Sequence, residues 1–389
     1  MFIKRDLTLK ILAGASQSPV IAVVGPRQSG KSTLIKEIFP KHAYIDLQDA
    51  QALEFANSDP QGFITSYQNQ FGLIIDEAQY APQLFAQIKV LVDRQPQAGF
   101  YILSGSQNFL LHEKISESLA GRVYLYQLLP LSIQELKAAN LLPNQAGTLI
   151  TQGCYPRVYQ PQINPQEYYT NYLQTYVQRD IRTIRNIENS SAFTKFIQLC
   201  ALRIGSTLNL TDLATSCGIS VNTARDWLTL LETSFVIFLL QPYHQNLGKR
   251  ITKSPKLYFY DTGLACSLIG ISHAQLILNR NLYGALFENL IIIDILKQAN
   301  SANSSYRFSF FRDSNQREVD LIVEQGLTAT PIEIKSSQTM HNSYFEVASW
   351  FHNQLPQSNP PIVIYGGDQD QSRSIGQVLS WNNSSQLFK

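Results

Sequence analysis

Short apolar runs alternate with helix-length spacers through the first third of the chain. The runs occupy residues 21–24, 43–47, 72–75, 100–103 and 123–126. Such runs fit buried strands and the spacers fit crossover helices, so the pattern predicts a parallel sheet covered on both faces. The spacer at residues 83–94 repeats apolar residues at helical spacing, and Ser132 with Glu135 has the spacing of a capping box.

The middle of the chain is predicted to be helical. A segment rich in Gly, Pro, Asn and Gln at residues 143–165 marks a boundary, and helices are expected at residues 168–187 and 193–204. Residues 209–231 then place a turn at Gly218 between two short helices, which is the layout of a helix-turn-helix.

Two apolar segments after the helix-turn-helix predict a wing. They occupy residues 235–240 and 256–260. The loop between them carries Lys249, Arg250 and Lys253 without an acidic residue. This part of the chain therefore combines a winged-helix layout with a basic loop.

The last block of the chain mixes one long helix with strands. The pattern predicts an apolar helix at residues 283–298 and strands at residues 306–312, 317–323 and 331–335. The tail from about Asp368 is rich in Gln, Ser and Asn, and is expected to be partly loose.

Composition narrows the class of protein. The 389 residues suggest two or three domains. Charges balance at 31 Lys and Arg against 29 Asp and Glu, which excludes a globally basic nucleic-acid coat and requires any basic surface to be local. No apolar run approaches the roughly 18 residues of a membrane span, so no membrane partner is expected. The 4 cysteines lack metal-type spacing, which predicts a reduced, cytoplasmic chain.

The segment between the first predicted strand and the next helix matches the phosphate-binding pattern G-x-x-x-x-G-K-[ST]. Its residues are Gly25, Pro26, Arg27, Gln28, Ser29, Gly30, Lys31 and Ser32, and Thr33 starts the helical run. The glycines let backbone N–H groups face a triphosphate, Lys31 and the helix N-terminus add positive potential, and Ser32 offers a hydroxyl to Mg²⁺. The segment predicts an ATP and Mg²⁺ site; an incidental glycine-rich turn is the alternative.

Polar residues end the third and fourth predicted strands. Asp76 would hold Mg²⁺ through its water shell, and Glu77 would polarise the attacking water. The alternative is a solvated acidic pair. Ser106 or Gln107 would hydrogen-bond the attacking water as a γ-phosphate sensor, or form only a polar turn. Arg122 would reach the γ-phosphate of its own or a neighbouring subunit, or cap a helix end.

These residues resemble the AAA-type P-loop ATPases, in particular a prokaryotic group with four shared motifs. The motifs are GPRQ-GK-[ST], an L-[IVL]-[IVL]-D-E strand, a [ST]-G-S strand end, and G-R-[VI] followed by L-P-L-S, and all four stand in the first third of this chain. The resemblance implies nucleotide-dependent switching, commonly in an oligomer. A homo-oligomer in which Arg122 acts in trans is therefore expected.

Acidic and basic residues share the last two predicted strands. Alternation places Glu333 and Lys335 on one face, and Asp320 would lie on the paired strand. Two carboxylates suit Mg²⁺ or Mn²⁺, and Lys335 would position a metal-bound water or stabilise a phosphate. Glu288, on the long helix, would complete the metal site. A salt-bridged surface is the alternative.

The order of Glu288, Asp320, Glu333 and Lys335 resembles the PD-(D/E)xK nuclease-like fold, with Val319 in place of the proline. Behind an ATPase and a winged helix, it is similar to the domain of unknown function 4143. The resemblance implies a C-terminal restriction-endonuclease-like α/β domain with Asp320, Glu333 and Lys335 as catalytic residues. This fold also occurs as a catalytically silent scaffold.

The second helix of the helix-turn-helix carries candidate base-reading residues. Asn222, Thr223 and Arg225 would face the bases if the helix entered a major groove. Phosphate contacts would come from basic residues nearby, namely Lys249, Arg250, Lys253, Lys256, Arg179, Arg182 and Arg185. Winged helices also act as lids on ATPase modules or as protein-docking units, so both roles stay open.

The sequence thus predicts an α/β protein of three domains. They are a P-loop ATPase domain with a parallel sheet (1–145), a helical lid and winged helix (146–260), and a nuclease-like α/β domain with a polar tail (261–389). The favoured function is Mg²⁺-dependent ATP binding and hydrolysis by a nucleotide switch that acts on DNA, with a metal-dependent nuclease domain. The alternative is a nucleotide-gated protein-interaction scaffold whose nuclease-like domain cuts nothing.

Overall fold

The computed structural model describes residues 2–106, 118–175, 189–243, 254–302, 305–355 and 357–388. Two compact units are present, one formed by Met1–Leu131 with Thr233–Phe235 and the other by Ser132–Glu232 with Val236–Lys389. This division does not decide between two and three domains. The predicted boundaries at residues 145 and 260 therefore stay predictions.

The first unit contains a parallel sheet of five strands. The strands are β1 (Val20–Val24), β2 (Ala43–Asp46), β3 (Leu73–Asp76), β4 (Tyr101–Gly105) and β5 (Val123–Gln127). Their order is β2-β3-β4-β1-β5, with every neighbouring pair parallel. β1, β3 and β4 are fully buried because helices cover both faces, which explains their continuous apolar runs. The predicted parallel sheet is confirmed.

The helices of the first unit are α1 (Thr8–Ala15), α2 (Lys31–Ile38), α3 (Ala50–Ser58), α4 (Pro60–Tyr67) and α5 (Gln83–Arg94). α5 has the predicted bounds and buries Leu84, Phe85, Ile88 and Val92, because these residues share one face at helical spacing. α2 packs Leu34 and Ile35 into a core that also holds apolar residues of β1 and β4. The phosphate loop thus lies between a buried strand and a helix that packs one face on the core.

The second unit begins with helices. They are α6 (Ile133–Ala138), α7 (Ala146–Gln152), α8 (Pro165–Tyr172), α9 (Ser190–Ala201), α10 (Leu210–Cys217), α11 (Val221–Thr233), α12 (Thr262–Ile269) and α13 (His273–Leu278). The capping box of Ser132 and Glu135 is present at α6. The predicted helix-turn-helix is present as α10 and α11, with Gly218 at φ 67°, where a glycine is favoured.

The second unit also contains a mixed sheet of eight strands. Its helices α14 (Arg280–Ser301) and α15 (Glu346–Gln354) accompany strands β6 (Ile237–Pro242), β7 (Lys256–Phe259), β8 (Tyr306–Arg312), β9 (Glu318–Gln325), β10 (Thr328–Lys335), β11 (Ile362–Tyr365), β12 (Gln371–Arg373) and β13 (Gly376–Ser380). Their order is β12-β13-β11-β10-β9-β8-β6-β7. The two predicted wing strands pair with each other, and β6 also pairs with β8, so they extend the C-terminal sheet.

The expectation of a partly loose tail is wrong. β13 pairs with β11 in parallel register, and Val378, Leu379 and Trp381 are buried. The Asp370 carboxylate accepts hydrogen bonds from the Ser380 N–H at 2.7 Å and from two nearby side-chain amides. The tail is polar in overall composition, but it contains a short apolar run that forms β13 and pairs with the sheet.

Two further features concern membrane-spanning helices and cysteines. In the part of the chain that the structure describes, no helix has the length and apolar content needed to cross a bilayer. The four cysteines are free thiols and are buried. The cytoplasmic location stays a prediction.

Candidate nucleotide site and C-terminal carboxylate centre

The phosphate loop is shaped by close approach of the backbone. A Cβ atom on Gly25 would lie 2.1 Å from the Leu128 carbonyl oxygen, so no side chain fits there. Gly30, at φ 94°, precedes the first residue of α2. Because the first N–H groups of a helix have no intrahelical acceptor, the N-terminus of α2 presents donors to an anion.

An arginine that the sequence analysis missed holds this loop in place. Arg5 is buried and donates from Nη1 to the Ser29 carbonyl at 2.8 Å and from Nη2 to the Leu129 carbonyl at 2.6 Å. The bonds join the N-terminal segment to the phosphate loop and to the chain after β5. No local motif marks Arg5, because its partners are backbone carbonyls distant in sequence.

Lys31 is buried beneath the loop. Its Nζ donates to the carbonyls of Gly25 and Pro26, at 3.0 Å each. Burial lowers the pKa of the Lys31 ammonium, while the nearby Glu77 and Asp76 carboxylates act in the opposite direction. The predicted grouping of Lys31 with these two acids is therefore present.

Asp76 ends β3 within a network of hydroxyl groups. Its carboxylate accepts hydrogen bonds from the Ser104 hydroxyl at the end of β4 and from the Tyr44 hydroxyl on β2, the latter at 2.8 Å. Burial and the bond to Asp76 raise the pKa of the Tyr44 phenol well above its usual range. Sequence reasoning did not find Tyr44, because an aromatic residue in an apolar strand carries no signal of its polar end.

Glu77 follows β3 in a left-handed backbone conformation, at φ 52°. Its Oε2 accepts hydrogen bonds from the Ser106 N–H at 3.1 Å, from the Ser106 hydroxyl at 2.9 Å and from the Gln79 amide. Ser106, predicted to contact the attacking water, is instead bonded to the predicted general base. Gln107 lies outside the described residues.

The other loop residues lie around this centre. Arg27 donates to the Tyr80 hydroxyl at 3.3 Å. Gln28 is exposed at φ 64°, Ser32 is half-buried and Thr33 is exposed. Ser29 is buried, and its hydroxyl has no hydrogen-bond partner. The loop thus brings together backbone donors, an ammonium group and hydroxyls at the carboxyl edge of the sheet.

Arg122 lies at the opposite end of the strands, next to the N-terminal end of β1. It immediately precedes β5, whose Val123 pairs with Val20 at the start of β1, whereas the phosphate loop follows the end of β1. A strand of this length separates them by roughly 15 Å. The Arg122 guanidinium contacts both oxygens of Asp93, at 2.5 and 3.0 Å. A contact with the γ-phosphate of its own subunit is therefore wrong, and a role in trans stays a prediction.

The C-terminal residues form one carboxylate centre on β9, β10 and α14, together with β7. Asp320 Oδ2 accepts from the Ile334 N–H at 2.8 Å and lies 3.4 Å from Lys335 Nζ, which also contacts Glu333 Oε1. Burial, followed by Asp320, raises the pKa of Glu333 to about 8. Burial likewise raises the pKa of Glu288 to about 7. The predicted convergence is present.

A second ammonium group also lies in this centre. Lys256 Nζ is 3.0 Å from Glu288 Oε1 and 2.6 Å from Glu318 Oε1, and the Tyr258 hydroxyl donates to the same Glu288 oxygen at 2.5 Å. Lys256 is only 1% exposed, so the prediction that it contacts DNA phosphates is wrong. Because Lys256 is close in sequence to a basic loop, it was predicted to lie on the surface. The carboxylates that surround it are distant in sequence, so the local sequence does not reveal its burial.

The helix-turn-helix exposes part of its second helix. Asn222 and Arg225 are exposed, and Arg225 Nη1 donates to Asn222 Oδ1 at 3.1 Å. Ala224 and Trp227 on the other face are buried against the core. The other predicted phosphate contacts, namely Arg179, Arg182, Arg185, Lys249, Arg250 and Lys253, lie outside the described residues.

Three family models match the chain. An AAA domain matches residues 17–137, a domain of unknown function (DUF8612) matches residues 144–275, and a domain of unknown function (DUF4143) matches residues 283–383. The first covers the nucleotide-site residues from the phosphate loop to Arg122, and the last covers Glu288, Asp320, Glu333 and Lys335. The resemblance to AAA-type ATPases with domain 4143 is confirmed. The nuclease-like character of that domain stays a prediction.

Among solved structures, a Walker-type ATPase, PABY2304 of Pyrococcus abyssi, covers 69% of this chain and 96% of its own, at 14% identity and a TM-score of 0.43. The RuvB Holliday junction branch migration motor of Thermotoga maritima covers 60% of this chain and 86% of its own, at 18% identity and a TM-score of 0.31. These similarities are weak, and the fold assignment rests on strand order and the family model.

Two uncharacterised proteins are similar over most of the chain, Rv2008c of Mycobacterium tuberculosis and Mb2031c of Mycobacterium bovis. Each is 30% identical over 343 residues, which cover 86% of this chain and 74% of the relative. The chain belongs to the family of these two mycobacterial proteins and carries an AAA-type P-loop ATPase domain followed by the domain of unknown function 4143.

Proposed function

We propose that this protein binds and hydrolyses ATP with Mg²⁺ and acts as a nucleotide switch. The observation that carries the proposal is the gathering of Lys31, Asp76 and Glu77, with Ser104 and Ser106, at the carboxyl ends of β1, β3 and β4. Ligands of open α/β sheets bind at this edge. The residues supply a cation for phosphate, an oxygen ligand and a candidate base in one place.

Each group has a distinct role in this proposal. Lys31 would exchange its bonds to the Gly25 and Pro26 carbonyls for phosphate oxygens, because an ammonium group favours the charged acceptor. Glu77 would accept a proton from the attacking water. The Ser106 bonds fix its carboxylate, so the base is oriented before the nucleotide arrives.

Ser32 and Asp76 are the residues that would hold Mg²⁺. Their oxygens are the hard ligands that this ion prefers, and both residues lie at the same edge of the sheet, so the residues fit the ion. When bound, Mg²⁺ neutralises charge on the phosphate oxygens. The hydrogen bonds from Tyr44 and Ser104 orient the Asp76 carboxylate toward this task.

The proposal is tested by measuring ATP turnover of the purified parent protein and of two variants. Lys31→Ala should lose turnover, because it removes the only lysine of the phosphate-loop motif. Lys89→Ala is the matched control, because Lys89 is exposed on α5, away from the phosphate-loop motif. Equal turnover by Lys31→Ala and Lys89→Ala would show that the assigned site is not the ATP site.

We also propose that the helix-turn-helix contacts DNA. The exposed face of α11, with Asn222 and Arg225, supports this role, since such groups read base edges in a major groove. The fall of DNA affinity with salt concentration measures the phosphate contacts. Arg225→Ala should weaken specific binding, whereas no binding of parent protein at low salt would favour the protein-interaction alternative.

Nucleic-acid cleavage at the C-terminal centre is not included in this proposal. Within the described ranges, no group of three or more His, Cys, Asp or Glu side chains is arranged to hold a metal ion. The predicted ligands Glu288, Asp320 and Glu333 each lie against an ammonium group instead. The present arrangement favours the alternative in which the nuclease-like domain cuts nothing.

A further inference from the structure

Among the lysines that the structure describes, Lys256 is the least exposed to solvent. The side chain is 2% exposed, and its ammonium group lies 5.5 Å above the Phe310 ring. Burying a charged group is unfavourable unless opposite charges compensate it. Here Glu288 and Glu318 both contact Nζ, so the lysine is compensated by carboxylates from two different elements, α14 and β9.

One oxygen of each carboxylate in the centre already accepts a hydrogen bond or contacts an ammonium group. Glu288 Oε1 accepts from Lys256 and Tyr258, Asp320 Oδ2 from the Ile334 N–H and Lys335, and Glu333 Oε1 from Lys335. Only Glu333 Oε2 is a buried oxygen of these side chains without a hydrogen-bond partner. A divalent ion at this centre would have to displace an ammonium group from the oxygens that it contacts, or bind the remaining oxygens beside two fixed positive charges, and both are unfavourable.

The charges lead to the same conclusion. The carboxylates of Glu288, Glu318, Asp320 and Glu333 surround the ammonium groups of Lys256 and Lys335. Of the two lysines, Lys335 belongs to the predicted E-x-K motif, so it accompanies a metal in the predicted mechanism. Lys256 is additional, and it neutralises Glu288, which would complete the predicted metal site.

We propose that Lys256 is the resident cation of the C-terminal centre and excludes Mg²⁺ and Mn²⁺ from it. Its ammonium group replaces the divalent ion as the charge that holds Glu288 on α14, Glu318 on β9 and the strand β7 together. The centre is therefore a closed ionic connection within the second unit. It joins the strand pair that follows the helix-turn-helix to the C-terminal sheet.

Mn²⁺ titration of the full chain without nucleotide, followed by electron paramagnetic resonance, tests this proposal. Parent protein and Asp320→Asn should take up Mn²⁺ alike, because the centre contributes no site. Lys256→Met removes the ammonium group and keeps an unbranched side chain of similar length. It should gain one Mn²⁺ site at least about tenfold tighter than any in the parent, and Lys256→Met with Asp320→Asn should lose it.

Lys256→Arg is the control that keeps the positive charge, and it should gain no site. Binding of Mn²⁺ by the parent at a site abolished in Asp320→Asn would overturn the proposal. Folded Lys256→Met protein that gains no site would also overturn it, because something other than the lysine would then exclude the ion. If Lys256→Met does not fold, the comparison of parent with Asp320→Asn still tests whether the centre excludes the ion.

Discussion

Replacing Ser106 with alanine should slow ATP hydrolysis without weakening ATP binding. Glu77 Oε2 accepts hydrogen bonds from the Ser106 hydroxyl at 2.9 Å, from the Ser106 N–H at 3.1 Å and from the Gln79 amide. Alanine removes only the hydroxyl bond. The carboxylate stays buried but loses one of the donors that fix its direction.

The size of the effect follows from this bond. A hydrogen bond to a charged group contributes about 1.5–3 kcal/mol. If most of this energy orients the base in the transition state, kcat should fall by roughly 10- to 100-fold. KM for ATP should change little, because Ser106 bonds to Glu77 and not to the phosphate loop.

Steady-state ATP turnover over a range of MgATP concentrations separates kcat from KM. Ser106→Thr keeps a hydroxyl and should recover much of the rate. Ser106→Ala added to Glu77→Gln should slow turnover no further, because both substitutions act on the same group. Parent-like kcat in Ser106→Ala, or an undiminished extra loss in the Glu77→Gln background, would refute the positioning role of Ser106.

Three more predictions follow from other contacts. The pKa of Glu333 is raised from its usual value of 4.5 to about 8 in the folded protein, so its proton stabilises the folded state and this contribution is lost as pH rises from 4.5 to about 8. Thermal unfolding should therefore show a stability difference in favour of Glu333→Gln that grows over this pH range and levels off above about pH 8. A constant difference would contradict the raised pKa. The Trp227 ring packs edge-on against two phenylalanine rings, with distances of 5.2 and 5.5 Å between ring centroids. Urea unfolding should therefore show that Trp227→Ala lowers the free energy of unfolding by about 3–5 kcal/mol. Asp226→Ala, at an exposed position of the same helix, is the control. Arg122→Ala should keep the turnover of dilute, monomeric protein, and a loss there would contradict its place at the far edge of the sheet.

The nucleotide site was largely predictable from the sequence, because its signals are local. The phosphate loop follows β1, the two acids lie at the end of β3 and the serines at the end of β4, and the parallel order brings these strand ends together. Arg5 and Tyr44 could not be predicted, since their roles depend on partners far away in sequence. The contact of Arg122 with the γ-phosphate of its own subunit was predicted wrongly, because a motif shows which residues are neighbours in sequence but not at which end of the strands they lie.

The second unit shows where the pattern is ambiguous. The helix-turn-helix was predicted from its turn at Gly218, and the pairing of β9 with β10 was predicted from their alternation. Lys256 was predicted as a surface cation, because a single lysine before an apolar strand does not reveal the carboxylates that surround it in the fold. The tail was predicted to be partly loose because the strand β13 is only five residues long and lies within a polar segment.

The most direct test of the central claim is the nucleotide that the protein retains. Glu77→Gln protein mixed with radiolabelled ATP and Mg²⁺, then separated from free nucleotide, should hold uncleaved ATP, because binding residues remain and the base is lost. Parent protein should convert the ATP to ADP, which it releases or retains. Lys31→Ala should retain neither ATP nor ADP. Conversion of ATP to ADP by Glu77→Gln at the parent rate would contradict the assignment of Glu77 and the hydrolytic site built around it.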